Sequence, residues 1–311
     1  MTEIVAHIFG GLGNQLFQYT AARSVLLELG AQRVSILQSN NIWSPDHPTL
    51  VDLVPSATPA MAKRYRLLKH AFARLPLELP MLPTSALRTR IALAGGVFRV
   101  GADGAFSPRP NDLPVPEYAR SVLMDGYFQH PSWYVTALAS TLDEISKSAP
   151  PDLHDISRQF GESTAVVSFR ASDYVRLGWQ LPRSYYVDAV SLLRDSGVEQ
   201  VVVNCENRDF GEAMCKWLAT AGIAVIDNPL NSGRGALDDF WCAVASRKNV
   251  MSNSTFSWWT VMVGSQLRKS TVSRSLTWAP SPWLPGVDFP CIQSDWRIVK
   301  HCGFVDGATQ P

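Results

Sequence analysis

The second half of the chain limits the possible folds more than any other feature. From Thr164 onward, short apolar runs alternate with helical patterns. Thr164–Phe169 reads as a strand, Ser184–Asp195 as a helix closed by Gly197, Gln200–Asn204 as a strand, and Asp209–Ala221 as a helix closed by Gly222. Ala224–Ile226, Leu237–Ser246, Asn249–Ser252, Ser257–Leu267 and Ser270–Ser275 continue the alternation as strand, helix, strand, helix and last strand. Strands separated by whole helices pair in parallel, because a hairpin needs only a short turn. The expectation is an α/β fold whose C-terminal domain, residues 151–285, is a doubly wound parallel sheet that binds its ligand at the carboxyl ends of the strands. Ala149-Pro150-Pro151 interrupts a helical stretch and marks the boundary with an N-terminal domain, 1–150. Residues 286–311 form a tail, expected to pack back on the body across the seam between the domains, together with the preceding Trp278, Pro280, Pro282, Trp283 and Pro285.

The N-terminal domain opens with a second informative stretch. Ile4–Phe9 reads as a short buried strand, Gly10-Gly11-Leu12-Gly13-Asn14-Gln15 as a glycine loop, and Leu16, Tyr19, Ala22, Val25, Leu26 and Leu29 as one helical face. Gly30 stands at the C-cap. Such a loop lets backbone N–H groups approach an anion, aided by the helix N-terminus. It is equally the turn of an ordinary strand–helix unit. The dinucleotide fingerprint fits poorly: Gly11 and Gly13 supply its first two glycines, but Leu16 occupies the place of the third. The next strand, near Val34–Ile36, carries no acid at its end for a ribose. Asn14 and Gln15 present two amides at the loop rim, suited to a sugar hydroxyl or a phosphate oxygen.

With 311 residues, a net charge of +1 and 46% hydrophobic residues, the chain is globular and carries no whole-protein nucleic-acid footprint. Its five cysteines include no C-x-x-C pair, which favours reduced thiols and a cytoplasmic location over a disulfide framework or a zinc site. No run of 18 apolar residues occurs, so the chain is expected to be soluble and not secreted. Residues 39–117 are irregular and proline-rich, apart from Met61, Tyr65, Leu68, Phe72 and Leu75 on one helical face. Lys63, Arg64, Arg66, Lys69, Arg74, Arg88, Arg90 and Arg99 stand against Glu78 alone between Leu53 and Ala102. This is either a solvated face or a basic surface over 61–75 that rests peripherally on anionic membrane. Val122–Tyr134 reads as a strand running into an aromatic loop. Tyr127, Phe128, Trp133 and Tyr134 serve either the core or, with Gln129 and His130, carbohydrate stacking.

Two strand ends carry unusual chemistry. Arg170 follows the strand 164–169, where a guanidinium can fork two phosphate oxygens, and Asp173 can orient it or hold a sugar hydroxyl. Ser252-Asn253-Ser254-Thr255 lies between a strand and a helix and offers hydroxyls, an amide and free backbone donors. Asp238-Asp239 falls inside a helical pattern, so no D-x-D at a strand end indicates a divalent metal.

Taken together, these blocks resemble glycosyltransferase family 11, the α-1,2-fucosyltransferases. Gly10–Ala22 is similar to the family's opening G-G-L-G-N-Q-L-F-Q-Y-A-A, Gly126–Gln129 to its G-Y-F-Q, and Leu181–Tyr186 to its L-P-x-x-Y-Y; Ser252–Trp259 matches its S-N-S-T-F-S-W-W. The central H-V-R-R-G-D-Y reads Ser168-Phe169-Arg170-Ala171-Ser172-Asp173-Tyr174 here, so Ser168 replaces the histidine and Ala171 the second arginine. The resemblance implies a GT-B fold, two Rossmann-like domains facing a cleft, with the acceptor on the N-terminal side and GDP-fucose on the C-terminal side. It implies inverting, metal-independent transfer of L-fucose from GDP-β-L-fucose to a glycan hydroxyl, the 2-OH of a β-galactoside by default, on an oligosaccharide or lipid-linked acceptor at the inner membrane face. Arg170, Asn14 and Asp173 are the catalytic candidates. Gly11, Gly13, Gln15, Ser168, Arg170, Asn253, Ser254 and Thr255 are the donor-binding candidates, and Tyr127, Phe128, Gln129 and His130 the acceptor-binding ones. No cofactor is implied. Asp125, His130 and Asp173 compete as general base. Another GDP-deoxyhexose as donor, a non-catalytic sugar-nucleotide or glycan-binding protein, and a distant dehydrogenase are the alternatives.

Overall fold

The computed structural model describes residues 3–38, 49–57, 92–94, 97–100, 115, 120–230, 233, 235–268, 276–281, 283 and 296–300. The basic stretch 61–75 lies outside the described residues, as does Ser270–Ser275. The chain divides into two compact units, Met1–Ser148 and Ala149–Pro311.

Unit 1 is built on a five-stranded sheet of order β2-β1-β5-β4-β3, comprising β1 Glu3–Ile8, β2 Arg33–Gln38, β3 Ala92–Ala94, β4 Val97–Val100 and β5 Ser121–Met124. Only the β3–β4 pair is antiparallel. Helix α1, Leu12–Leu29, follows β1, the short α2 covers Leu50–Leu53, and α3, Pro131–Ser146, packs against α1. Polar residues are buried on α1 alongside the apolar ones: Gln15, Gln18, Thr20 and Ser24 join Leu16, Phe17, Ala22 and Val25. Gly30 ends α1 at φ 60, with its N–H bonded to the Leu26 carbonyl. The expected aromatic loop is instead the start of α3, whose first turn places Trp133 and Tyr134 in the core. Pro131 at the first helical position, where no N–H is needed, sets that start.

Unit 2 holds an all-parallel six-stranded sheet of order β11-β10-β9-β6-β7-β8. Its strands are β6 Thr164–Phe169, β7 Gln200–Cys205, β8 Ala224–Ile226, β9 Lys248–Val250, β10 Leu276–Ser281 and β11 Trp296–Lys300. Helices α4 Leu153–Phe160, α5 Ser172–Leu177, α6 Arg183–Asp195, α7 Arg208–Thr220, α8 Ala236–Ala245 and α9 Thr255–Arg268 alternate with them. Val167, Tyr185, Leu193, Val201, Leu218, Val250 and Trp278 share one buried cluster, which explains why these strands read as continuous apolar runs. A strand at Leu276–Ser281 follows the expected Ser270–Ser275 in the chain, and Trp296–Lys300 pairs beside it as the edge strand β11. Trp278 and Trp283 are buried.

Among the described residues, no helix is long and apolar enough to cross a membrane. Cys205, Cys215 and Cys242 are free thiols whose pKa burial pushes up, the first to about 12, so they are poor nucleophiles.

Candidate functional site

In unit 2 the chain steps from β6 through β7 to β8 on one side, then returns to β9 on the other side of β6. This is the Rossmann order, and its ligand crevice opens beyond the carboxyl ends of the two strands where the direction reverses. Those strands are β6 and β9. The two chemically odd sequence blocks follow them directly.

Arg170 is the first residue after β6. Its Nη2 donates to Asp173 Oδ1 at 3.1 Å, its Nη1 lies 3.6 Å from Glu206 Oε2, and its guanidinium sits 5.0 Å from the centre of the Tyr174 ring. The side chain keeps 29% of its exposure, while Nε is buried without a hydrogen-bond partner among the described residues. An anionic oxygen is the natural complement of such a donor. Glu206 also accepts from the Ala171 N–H at 2.9 Å, and so braces the turn that carries Arg170. Pairing of Phe169 with Cys205 puts Glu206 there. Sequence reading missed Glu206, although the strand-end rule that singled out Arg170 applies to it equally. Burial, with the nearby Asp173 and Glu206 carboxylates adding to it, pushes the Tyr174 phenol to about 12 against the opposing Arg170 charge. It stays protonated and donates to the Asn253 carbonyl at 3.1 Å, tying the two blocks together. Ser172 adopts φ 41, a left-handed conformation, at the position where the family pattern has glycine.

Three residues of the second block have partners within the protein. Ser252 and Ser257 hydroxyls bond each other at 2.9 Å, and Asn253 Nδ2 donates to the Trp179 carbonyl at 2.8 Å. Asn253 is fully buried and holds the crevice wall through that bond, while its Oδ1 has no hydrogen-bond partner among the described residues. Ser254 caps α9 by accepting from the Phe256 N–H at 3.2 Å. Thr255, only half-buried, is the member of the block left at the surface. With no acid in its first turn, α9 presents an uncompensated positive end. Ser168 is buried in β6 opposite Asn204, which donates to the Asp239 carbonyl at 2.8 Å. Asp239 accepts from Asn228 at 3.1 Å, and burial raises its pKa to about 6 despite that bond.

In unit 1 the glycine loop leaves β1 with Gly10 at φ 75, where only glycine is unstrained. Gly11, exposed at φ −66, receives the Asn14 and Gln15 N–H groups on its carbonyl, and a Cβ added there would meet nothing within 4 Å. Gly13 is buried inside the first turn. The loop's need for glycine therefore rests on Gly10. Asn14 and Gln15 point to different tasks. Gln15, 1% exposed, donates to the Gly10 carbonyl at 2.8 Å and accepts from the Leu50 N–H at 2.9 Å. It braces the loop from inside. Asn14 is half-buried and accepts from Gln129 Nε2 at 2.9 Å, which brings the first motif and the G-Y-F-Q motif together.

The acceptor candidates divide similarly. Tyr127 is 41% exposed, with its ring 5.1 Å from Phe9, and Gln129 is half-buried. Phe128 is 1% exposed, packs 5.0 Å from Trp133 and adopts φ 52, so it belongs to the core. His130 caps α3 through Nδ1, which accepts from the Ser132 N–H at 3.2 Å. A separate open groove of about 590 Å³, lined by Arg23, Ser56, Asp143 and Glu144 among others, contains none of the candidates. Among the described residues, no group of three or more His, Cys, Asp and Glu is arranged to hold a metal ion.

No family model matches the chain, and no curated protein matches it. Solved structures do. POFUT1 in complex with GDP is 10% identical, with a TM-score of 0.46, over 89% of this chain and 98% of that one. A mutant of Arabidopsis thaliana FUT1 in complex with GDP is 12% identical, with a TM-score of 0.46, over 85% and 68%. The NodZ α-1,6-fucosyltransferase soaked with GDP-fucose is 12% identical, with a TM-score of 0.45, over 84% and 92%. Likeness at this level leaves the chemistry to this chain's own residues.

Proposed function

We propose that this chain is an inverting glycosyltransferase that moves L-fucose from GDP-β-L-fucose to a glycan hydroxyl, the 2-OH of a β-galactoside, without a divalent metal. The observation that carries the reading is Arg170 at the Rossmann switch point, with a buried, unpartnered Nε, beside the positive end of α9. A departing diphosphate needs positive charge that grows no farther away as the bond breaks. A guanidinium braced by two carboxylates and a helix end supply that charge without reorganising. Asp173 and Glu206 hold the guanidinium plane, and Thr255 offers a hydroxyl at the helix end. On the acceptor side, Tyr127 offers a stacking face, and Asn14 and Gln129 offer joined amides. The fucosyl donor is the default of the family that the motifs resemble. Ser168 and Ala171, which stand in place of its histidine and second arginine, support a second reading in which another GDP-deoxyhexose is used.

Incubation with GDP-fucose and a panel of β-galactosides, in the presence of EDTA, tests the reading by product mass and linkage. Fucosylated product that survives chelation is expected. Tight GDP binding with no transfer to any acceptor would identify a sugar-nucleotide binding protein instead.

A further inference from the structure

Trp179, which the motifs did not single out, stands at the rim of the crevice in unit 2. It follows α5, which ends in a Schellman turn. Gly178, at φ 66, donates its N–H to the Val175 carbonyl at 3.2 Å, and the Trp179 N–H reaches the Tyr174 carbonyl at 2.9 Å. The Trp179 carbonyl accepts from Asn253 Nδ2 at 2.8 Å. Both backbone groups of Trp179 are thus fixed, the N–H to α5 and the carbonyl to the block after β9. The side chain is half-buried, and among the described residues its one ring contact is with Tyr174, at 5.9 Å and 88°. A perpendicular contact of this kind takes at most one face of the indole. The same Tyr174 ring carries the Arg170 guanidinium, 5.0 Å from its centre. An aromatic surface held by its backbone and by a core tyrosine costs little to order when a ligand meets it. The strand order gives the direction of that ligand. In a Rossmann sheet the diphosphate lies at the turn after the first strand and the ribose at the end of the second. Here those strands are β6 and β7, so the far end of a diphosphate runs toward β9, the side on which Asn253 holds Trp179.

We propose, on the reading of the chain as a GDP-sugar transferase, that Trp179 is the platform for the transferred sugar and selects a 6-deoxyhexose. The C–H groups on one side of a pyranose pack on an indole face, and the methyl group of a 6-deoxyhexose extends that apolar surface. A hydroxyl at C6 gives up water to reach the same face, and so binds less well. The nucleotide itself is held by other groups, Arg170 among them, and does not need the indole.

The test uses the full chain, with calorimetric binding of GDP, GDP-fucose and GDP-L-galactose, the analogue of GDP-fucose that carries a C6 hydroxyl, and thermal melting of each variant. Wild type is expected to bind GDP-fucose about tenfold more tightly than GDP-L-galactose. Trp179→Ala should weaken GDP-fucose by about 10–30-fold, leave GDP within about twofold, and bring the two sugar nucleotides within about threefold of each other. Trp179→Phe keeps a smaller flat face and should recover most of the loss. Should the alanine variant fail to fold, Trp179→Leu keeps apolar bulk against Tyr174 without a flat face, and should lose about fivefold for GDP-fucose alone. GDP and GDP-fucose weakened together overturns the platform and leaves the transferase standing, since the indole then serves the nucleotide or the crevice wall. GDP-fucose binding unchanged by the loss of the indole overturns it as well. A wild-type chain that binds neither GDP nor GDP-fucose overturns both.

Discussion

Gln15→Leu separates bracing from binding in the opening motif. In the native protein the Gln15 amide satisfies two backbone groups, the Gly10 carbonyl and the Leu50 N–H, at 2.8 and 2.9 Å. Leucine has a similar volume, so the cavity and strain contributions are small, below about 1.5 kcal/mol. The Leu50 N–H is buried and would lose its partner, at a cost of roughly 1–3 kcal/mol. Gly10 is half-buried, so water recovers part of the second bond and leaves a loss of about 0.5–1 kcal/mol. Better burial of the apolar side chain returns about 1 kcal/mol. The net expectation is a destabilisation of about 2 kcal/mol, seen in urea unfolding as a midpoint lower by roughly 1 M. GDP-fucose affinity, measured well below the transition, should be unchanged. Asn14→Ala is the contrasting variant: its bond to Gln129 is half-exposed, so stability should fall by under about 1 kcal/mol while transfer is lost. If Gln15→Leu instead unfolds at the wild-type midpoint but no longer binds donor, the Gln15 amide meets the ligand and the assignment above is wrong.

Three other outcomes follow from the geometry. Arg170→Ala should cut transfer by about 10²–10³-fold, because its guanidinium is the charge that the β6 end offers to the leaving diphosphate; a loss under tenfold would remove Arg170 from the mechanism. Ser172→Gly should raise the melting temperature, as relief of a left-handed serine is worth about 1 kcal/mol; a drop would show that the serine side chain matters more than the strain. Asp239→Asn probes the raised carboxyl pKa. Because the folded value, about 6, lies above the unfolded one, this carboxyl's contribution to stability is fully present below the unfolded value and is lost as pH rises through about 6. The variant should therefore match wild type in urea at pH 4.5 and exceed it by about 2 kcal/mol at pH 7.5. An equal difference at both pH values would refute the shift.

The sequence by itself determined the strand–helix alternation after Thr164 and, with it, a parallel sheet, since helices between strands leave the chain no other way to pair them. It also determined that Arg170 and the Ser252–Thr255 block lie at carboxyl strand ends, because apolar periodicity locates those ends to within a residue or two. The helix cap at Gly30 was readable for the same local reason. Tertiary structure decided which side chains face inward. Gln15, Phe128 and Asn253 carry polar or aromatic groups that suit a ligand, and nothing local distinguishes such a group from one that satisfies a buried backbone partner. Strand neighbours were equally beyond local reading. Glu206 stands beside Arg170, and His7 beside Asp125, through register between strands tens of residues or more apart in sequence, a relation set by the packing of the whole sheet.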